Sequence, residues 1–452
     1  MQSAGSRLHR RYATIAGAVT SAALVAVVVA PAHAGPPATV APAPAGPAVP
    51  EVTAEAETPP LFDDEDGGNA SADDPAIWRD PKNPAHSLVL GTAKVGGLRV
   101  YDLAGREVQS LPSPRPPSAD DEPGRLNNVD VVDGTDLAVA TDRGRDKLVI
   151  YRVAPHRTPG PVTDITADDA SPYIFSADQD EVNKQATAYG LDSWKDRKTG
   201  RVYAVVTQEL TNRVALLELT KPAADGTIGY RKIRTVSFPT TFALPDHTTW
   251  TPCEEPGEQP YLEGLRVDPA NGVLYAGQED VGVWRINADL TGRPTLIDRV
   301  RDYGVPYTQD PTTGECVPGE DPGFGGKHLV ADVEGITLIE RPGGGGQIVV
   351  SSQGDSTFAL YDRDPAKGNR FTAGFRVGAG SGENAIDGVD GTDSLEIVNR
   401  PFGDRYPQGL AVFQDGIDTP DVAGPGGEPR EGSNYKYVDL RDLATATGLD
   451  FR

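Results

Sequence analysis

Short apolar runs, paired and separated by polar turns, recur along this chain. The pairs lie at 87–92 with 97–103, 136–141 with 148–153, 202–207 with 214–219, 273–278 with 282–286, 348–353 with 358–363, and 409–414 with 435–440. Their centres (Val89, Val139, Val205, Tyr275, Val349 and Ala411) are roughly 50 to 75 residues apart. Val, Ile, Tyr and Thr fill the runs, and Gly, Asp and Asn fill the turns, which is the pattern of antiparallel strands. Ahead of each pair stands a polar or acidic residue followed by a short apolar stretch. The first is Asp73-Asp74-Pro75-Ala76-Ile77-Trp78, and the others open at Asn128, Tyr189, Glu263, Glu334 and Asp393. This period with four strands per unit predicts an all-β chain: a six-bladed β-propeller of four-stranded antiparallel blades around a central channel. The competing arrangement, a pair of β-sandwiches, does not require so regular a recurrence. Placed radially, the six starts converge on one axis and bring several carboxylates to one mouth. The segment before Asp73 is expected to complete the last blade, and helical periodicity is confined to about 440–446.

The first residues read differently. Arg7, Arg10 and Arg11 precede an apolar run over 13–30, and Ala32-His33-Ala34 offers a small-residue cleavage site. Residues 1–34 are therefore expected to be a secretory signal peptide, and 35–56 a disordered Pro/Ala-rich spacer before a propeller domain at 57–452. A retained membrane anchor is the alternative; Arg10-Arg11 leaves a twin-arginine route open beside the general one. The expected location is secreted, extracellular. An oxidising compartment favours a disulfide between Cys253 and Cys316, the two cysteines of the chain, over two free thiols.

Charge narrows the partners. The formal net charge is −24, falling to −27 without the leader, which repels nucleic acid and anionic membranes. Acidic loops suit calcium, with its six to eight oxygen ligands. Zinc, Walker and serine-hydrolase motifs are absent from the sequence. Asp102, Asp130 and Asp362 read as turn or packing residues, Trp78, Trp194 and Trp284 as core, and 63–66 as a solvated acidic run.

Four segments in order, Asp73–Trp78, Gly124-Arg-Leu-Asn-Asn-Val-Asp130, Asp332-Val-Glu-Gly-Ile336 and Ser351-Ser-Gln-Gly-Asp355, resemble those of the β-propeller phytases. The resemblance runs from about Glu57 to Leu443. It implies a six-bladed fold and Ca²⁺-dependent hydrolysis of phosphate monoesters from phytate, myo-inositol hexakisphosphate, with several calcium ions and attack by a metal-held water. Residue by residue, it implies Glu57, Asp73, Asp74, Asp332, Glu334, Gln353 and Asp387 as metal ligands or their neighbours. It implies Glu263, Glu334 and Tyr189 at the reacting water, and Lys94 and Arg143 on phosphate. Two positions depart from the family pattern: Val95 and Glu209 stand where a lysine is expected, which weakens a second phosphate site unless Arg213, Arg125 or Lys327 substitutes. The implied partner is a small phosphate ester, as a calcium complex, taken by a monomer.

Other readings of these residues stay open. Asp73-Asp74 suits an Asx turn, Glu263 and Glu334 precede Gly and suit a backbone requirement, Tyr189 suits a core, and Lys94 and Arg143 lie in turns. A calcium-dependent propeller lactonase, or a non-catalytic calcium-stabilised binding propeller, is the alternative function.

Overall fold

The computed structural model describes residues 49–452 apart from 169–170, 311, 383–384 and 425. The expected leader and most of the expected spacer lie outside the described residues. Glu51–Thr53, inside the expected spacer, is a strand.

Six sheets of four antiparallel strands follow one another along the chain. Blade 1 is Pro75–Trp78, Leu88–Thr92, Leu98–Tyr101 and Glu107–Leu111; blade 2 is Leu126–Val131, Leu137–Asp142, Lys147–Val153 and Val162–Asp164. Blade 3 is Ala188–Lys195, Val202–Gln208, Arg213–Leu219 and Tyr230–Ser237; blade 4 is Leu262–Asp268, Val273–Gln278, Gly282–Asn287 and Thr295–Arg299. Blade 5 is Val333–Arg341, Gly345–Ser352, Thr357–Asp362 and Phe371–Gly378. Blade 6 is Leu395–Val398, Leu410–Ala423 and Pro429–Asp439, and its fourth strand is Ala56–Glu57 from the start of the described chain. The ring is therefore closed as expected, by a strand distant in sequence. Leu61–Phe62 adds to the same edge, and Glu51–Thr53 adds a parallel strand to blade 5. The first strand of each blade touches the first strands of both neighbours, and blade 6 meets blade 1, so these six strands line the axis.

Burial explains why the middle strands were legible. Leu88–Thr92 is buried at every position, because both faces of a blade pack on other blades. The outermost strands Glu107–Leu111 and Thr295–Arg299 are half-buried to exposed and carry no apolar signal. The core accordingly sits between blades. Leu90, Val100, Ala140 and Val149 fill the gap from blade 1 to blade 2, and Val349, Phe358, Phe375 and Phe413 the gap from blade 5 to blade 6. Trp78 and Trp284 belong to this core, whereas Trp194 is half-buried and stacks on Tyr203 at 5.3 Å.

Two long loops flank blade 4. Each carries a small hairpin, Phe242–Ala243 with Thr249–Trp250 and Tyr307–Gln309 with Cys316–Pro318. Cys253 and Cys316 form a disulfide that joins these loops, and Trp250 Nε1 donates to Val305 O at 2.7 Å between them. Leu440–Thr447 is a helix capped by Asp439, as the periodicity predicts. Among the described residues no helix is long and apolar enough to cross a membrane.

Candidate active site

The axial strands of blades 2 to 5 all open with a shift of register. It falls between Leu126 and Val129, Ala188 and Leu191, Leu262 and Leu265, and Val333 and Ile336. The residues taken up in the shift are Asn127-Asn128, Tyr189-Gly190, Glu263-Gly264 and Glu334-Gly335. A bulge of this kind re-aims a side chain out of the alternating pattern, here toward the mouth of the channel. The glycines are required by the next blade. A Cβ on Gly190 would lie 1.9 Å from the carbonyl oxygen of Glu263, one on Gly264 would lie 2.1 Å from that of Glu334, and one on Gly335 would lie 2.6 Å from Ser394 Cα. Threonines at the ends of second strands hold the starts of the axial strands, bulged in blades 2 and 3 and regular in blade 1. Thr92 Oγ1 accepts from Asp74 N at 3.0 Å, Thr141 Oγ1 from Asn128 N at 3.1 Å, and Thr207 Oγ1 from Gly190 N at 2.7 Å. Thr141 Oγ1 also donates to Tyr189 O at 2.6 Å, tying blade 2 to blade 3.

The same register builds a second ring. The residue just past the second strand is Arg143 in blade 2, Glu209 in blade 3, Glu279 in blade 4 and Gln353 in blade 5, and Lys94, two residues past Thr92, is its counterpart in blade 1. The mouth is therefore polarised, with cations over blades 1 and 2 and carboxylates over blades 3 and 4.

At the acidic pole, Glu263, Glu279 and Glu334 are buried and each places a carboxylate oxygen within 4.8 Å of the others'. Asn127 Nδ2 donates to Glu263 Oε1 at 2.9 Å, and Tyr189 hydrogen-bonds the same carboxylate. Burial, then the charge of Asp73, pushes Glu263 up to about 8. Burial followed by Glu279, Glu263, Asp332 and Asp393 pushes Glu334 well above the usual carboxylate range. Asp393 is pushed up to about 7, chiefly by burial, and Gln353 Nε2 donates to its Oδ1 at 2.6 Å. Asp73 Oδ2 and Glu334 Oε2 are buried without a hydrogen-bond partner. Such a set of oxygens has the chemistry of a hard-cation site.

At the basic pole, Lys94 Nζ lies 3.6 Å from Asp73, so the poles touch. Arg143 pairs with Glu209 at 2.6 Å and its guanidinium lies over the Tyr189 ring at 5.3 Å. Arg125 is close behind; burial, then the Arg143 charge, pushes it down to about 10. Glu209 therefore uses its charge on Arg143.

The remaining expected residues fall elsewhere. Asp74 spends both carboxylate oxygens on the fold, accepting from Val129 N at 2.8 Å and from the Ser394 hydroxyl. Arg213 donates to Gln208 and lies over Phe175. Lys327 is exposed on the loop into blade 5 beside His328, which stacks on Phe371 of that blade's outer strand. Glu57 and Asp387 meet not at the mouth cluster but around the Lys436 ammonium.

Glu279 and Arg266 were not singled out from sequence, whereas Asp393 was read only as a blade start and Arg125 only as a substitute for a missing lysine. The Gln278-Glu279 pair repeats Gln208-Glu209 at the same strand end, a signal that the blade register would have exposed. Arg266 sits within the channel below the mouth, 3.5 Å from Asp130, 3.3 Å from Asp192 and 3.2 Å from Glu396. The space left among these residues is about 20 Å³, room for a single water, so the channel is plugged.

A family model described as Phytase matches residues 17–241 and 258–449 of this chain. The 3-phytase of Bacillus subtilis (strain 168) is 32% identical over 412 residues, covering 88% of this chain and 86% of that protein. Among solved structures, the chain is similar to a periplasmic gluconolactonase of Pseudomonas aeruginosa, with TM-score 0.35, 16% identity, and coverage of 67% of this chain and 68% of that one. It is also similar to a calcium-binding protein, regucalcin, of Agrobacterium tumefaciens str. C58, with TM-score 0.41, 12% identity, and coverage of 84% and 95%. Superpositions this loose carry no inference about the chemistry of the site.

Proposed function

This chain belongs to the phytase family and is a phytase, and from that premise we propose that it is a secreted, monomeric, calcium-dependent phosphomonoesterase. In this reading it releases phosphate from phytate at the polarised mouth. The observation that carries the reading is the juxtaposition of Lys94, Arg143 and Arg125 with the Glu263–Glu279–Glu334 cluster. An uncompensated acidic cluster repels a polyanion, and a purely basic one holds it without activating water. A lactone, being neutral, gives no role to the basic pole. The leader-like start and the Cys253–Cys316 disulfide support export.

Calcium suits the acidic pole, since the donors are all oxygens and two buried carboxylate oxygens lack partners. Asp73, Glu263, Glu279, Asp332, Glu334 and Asp393 would hold it there. Bound there, it supplies the positive charge that draws phosphate oxygens in and acidifies water.

The side chains do the rest. Lys94 and Arg143 hold the phosphate and offset charge developing on its equatorial oxygens. Tyr189 fixes the orientation of Glu263. Burial by itself holds the proton on Glu263, which gives that proton up when a cation is bound beside it, leaving the carboxylate oriented to take one from the attacking water. The test is phosphate release from phytate by the wild type and Glu263→Gln, each with calcium and with EGTA. Release by the wild type alone, abolished by EGTA, is expected. Equal release in EGTA would refute calcium dependence, and full activity in Glu263→Gln would remove that residue from the chemistry.

A further inference from the structure

On the mouth face of blade 6, four carboxylates surround one ammonium. Lys436 Nζ lies 2.5 Å from Glu57, 3.0 Å from Asp418 and 3.3 Å from Asp415, and is bonded also to Asp387. The Lys436 side chain is fully buried, at 0% exposure. The four acids come from three places: Glu57 from the closing strand, Asp387 from the loop into blade 6, and Asp415 and Asp418 from its second strand. Glu57, Asp387 and Asp418 each bring one oxygen within 4.8 Å of the others', the spacing a divalent ion asks of its ligands. The centre of that triad is where the ammonium sits.

An ammonium has three protons to donate, and Glu57, Asp387 and Asp418 accept them. Calcium binds oxygens at about 2.3–2.6 Å, so it would need the position the nitrogen holds, beside a like charge that cannot leave a closed blade. We infer that Lys436 is a tethered cation standing in place of a metal ion, so that Glu57 and Asp387 are not calcium ligands in this protein. Lys436 also faces Glu57 in register across the closing strand pair. The ring closure thus carries its own cation and does not depend on free calcium. Calcium depletion acts on the mouth and leaves the closure intact. This inference concerns a cluster separate from the mouth and stands whether or not phytate is the substrate.

The test is the number of calcium ions bound per chain, by isothermal titration calorimetry of full-length mature protein, for the wild type, Asp418→Asn and Lys436→Met. Asp418→Asn is expected to bind as many as the wild type, because that acid holds no metal. Lys436→Met is expected to melt lower than the wild type in EGTA, to bind one ion more, and to recover in excess calcium. A loss of one ion in Asp418→Asn overturns the inference. So does a folded Lys436→Met that gains none; if Lys436→Met does not fold, the Asp418→Asn count decides. These counts do not depend on turnover, so failure of the phytase reading would leave them legible.

Discussion

Gly264→Ala tests the link between blade packing and chemistry most directly. A methyl at this position would lie 2.1 Å from the carbonyl oxygen of Glu334 and 2.7 Å from its carbonyl carbon, with Gly335 Cα at 3.2 Å. Ordinary contact begins at about 3.4 Å, so the axial strands of blades 4 and 5 must separate by more than about 1 Å. All three contacts are backbone, and no flexible side chain can swing away. Overpacking of this kind costs about 1–3 kcal/mol, a fall of a few degrees in Tm. The larger effect is on activity. Glu263 and Glu334 sit on the two strands that are forced apart, and a displacement of about 1 Å at reacting groups can cost about 10²-fold in rate. Gly345→Ala is the control, since its methyl would meet nothing nearer than 3.9 Å. Phosphate release from phytate and thermal melts of both variants are the assays. If Gly264→Ala keeps its activity within about twofold and its Tm within a degree, the glycines at the bulges are not there for packing and the mouth is not the reacting centre.

Glu334→Gln should lower phosphate release by more than about 10²-fold yet raise Tm in EGTA, because a buried carboxylate surrounded by acids is replaced by a neutral amide; a destabilised but active variant would contradict both halves. Glu263 is pushed up to about 8, and Glu396 and Asp393 to about 7, all chiefly by burial. The folded state keeps protons that the unfolded chain releases above about 4.5, so in EGTA stability should fall as pH rises from about 4.5 to about 8. Urea midpoints at pH 5 and 8 check this, and a higher midpoint at pH 8 would reverse the sign. Arg266→Met should destabilise by about 3–5 kcal/mol at pH 8, because Asp130, Asp192 and Glu396 lose their shared cation. The loss should be smaller at pH 5, and a cost under about 1 kcal/mol at pH 8 would show that the plug is not held by that charge.

The legible part of the site was what the repeat itself announces. Asp73, Tyr189, Glu263 and Glu334 open axial strands, and the structure brings all four to one mouth. Lys94 and Arg143 were found through resemblance, and their position in the ring past the second strands explains why those residues face the acids. Glu279 was hidden because its strand end was not put in register with that of Glu209. The meaning of Glu209 was hidden for the same reason: it appeared only as a lost lysine until its pairing with Arg143 was visible.

By itself, the sequence determined the all-β class, the number of blades and the two buried middle strands of each, because both faces of those strands must be apolar. It also determined the helix at Leu440–Thr447 and which loops carry the cysteines. Tertiary structure decided which carboxylates share a site and which cation each one faces. Glu57 and Glu334 are both acids beside a channel mouth in sequence terms, but one meets a lysine ammonium and the other meets carboxylates. Hydrophobic periodicity records burial residue by residue, whereas charge pairing depends on distances between blades that are remote in the chain and become near only when the ring closes.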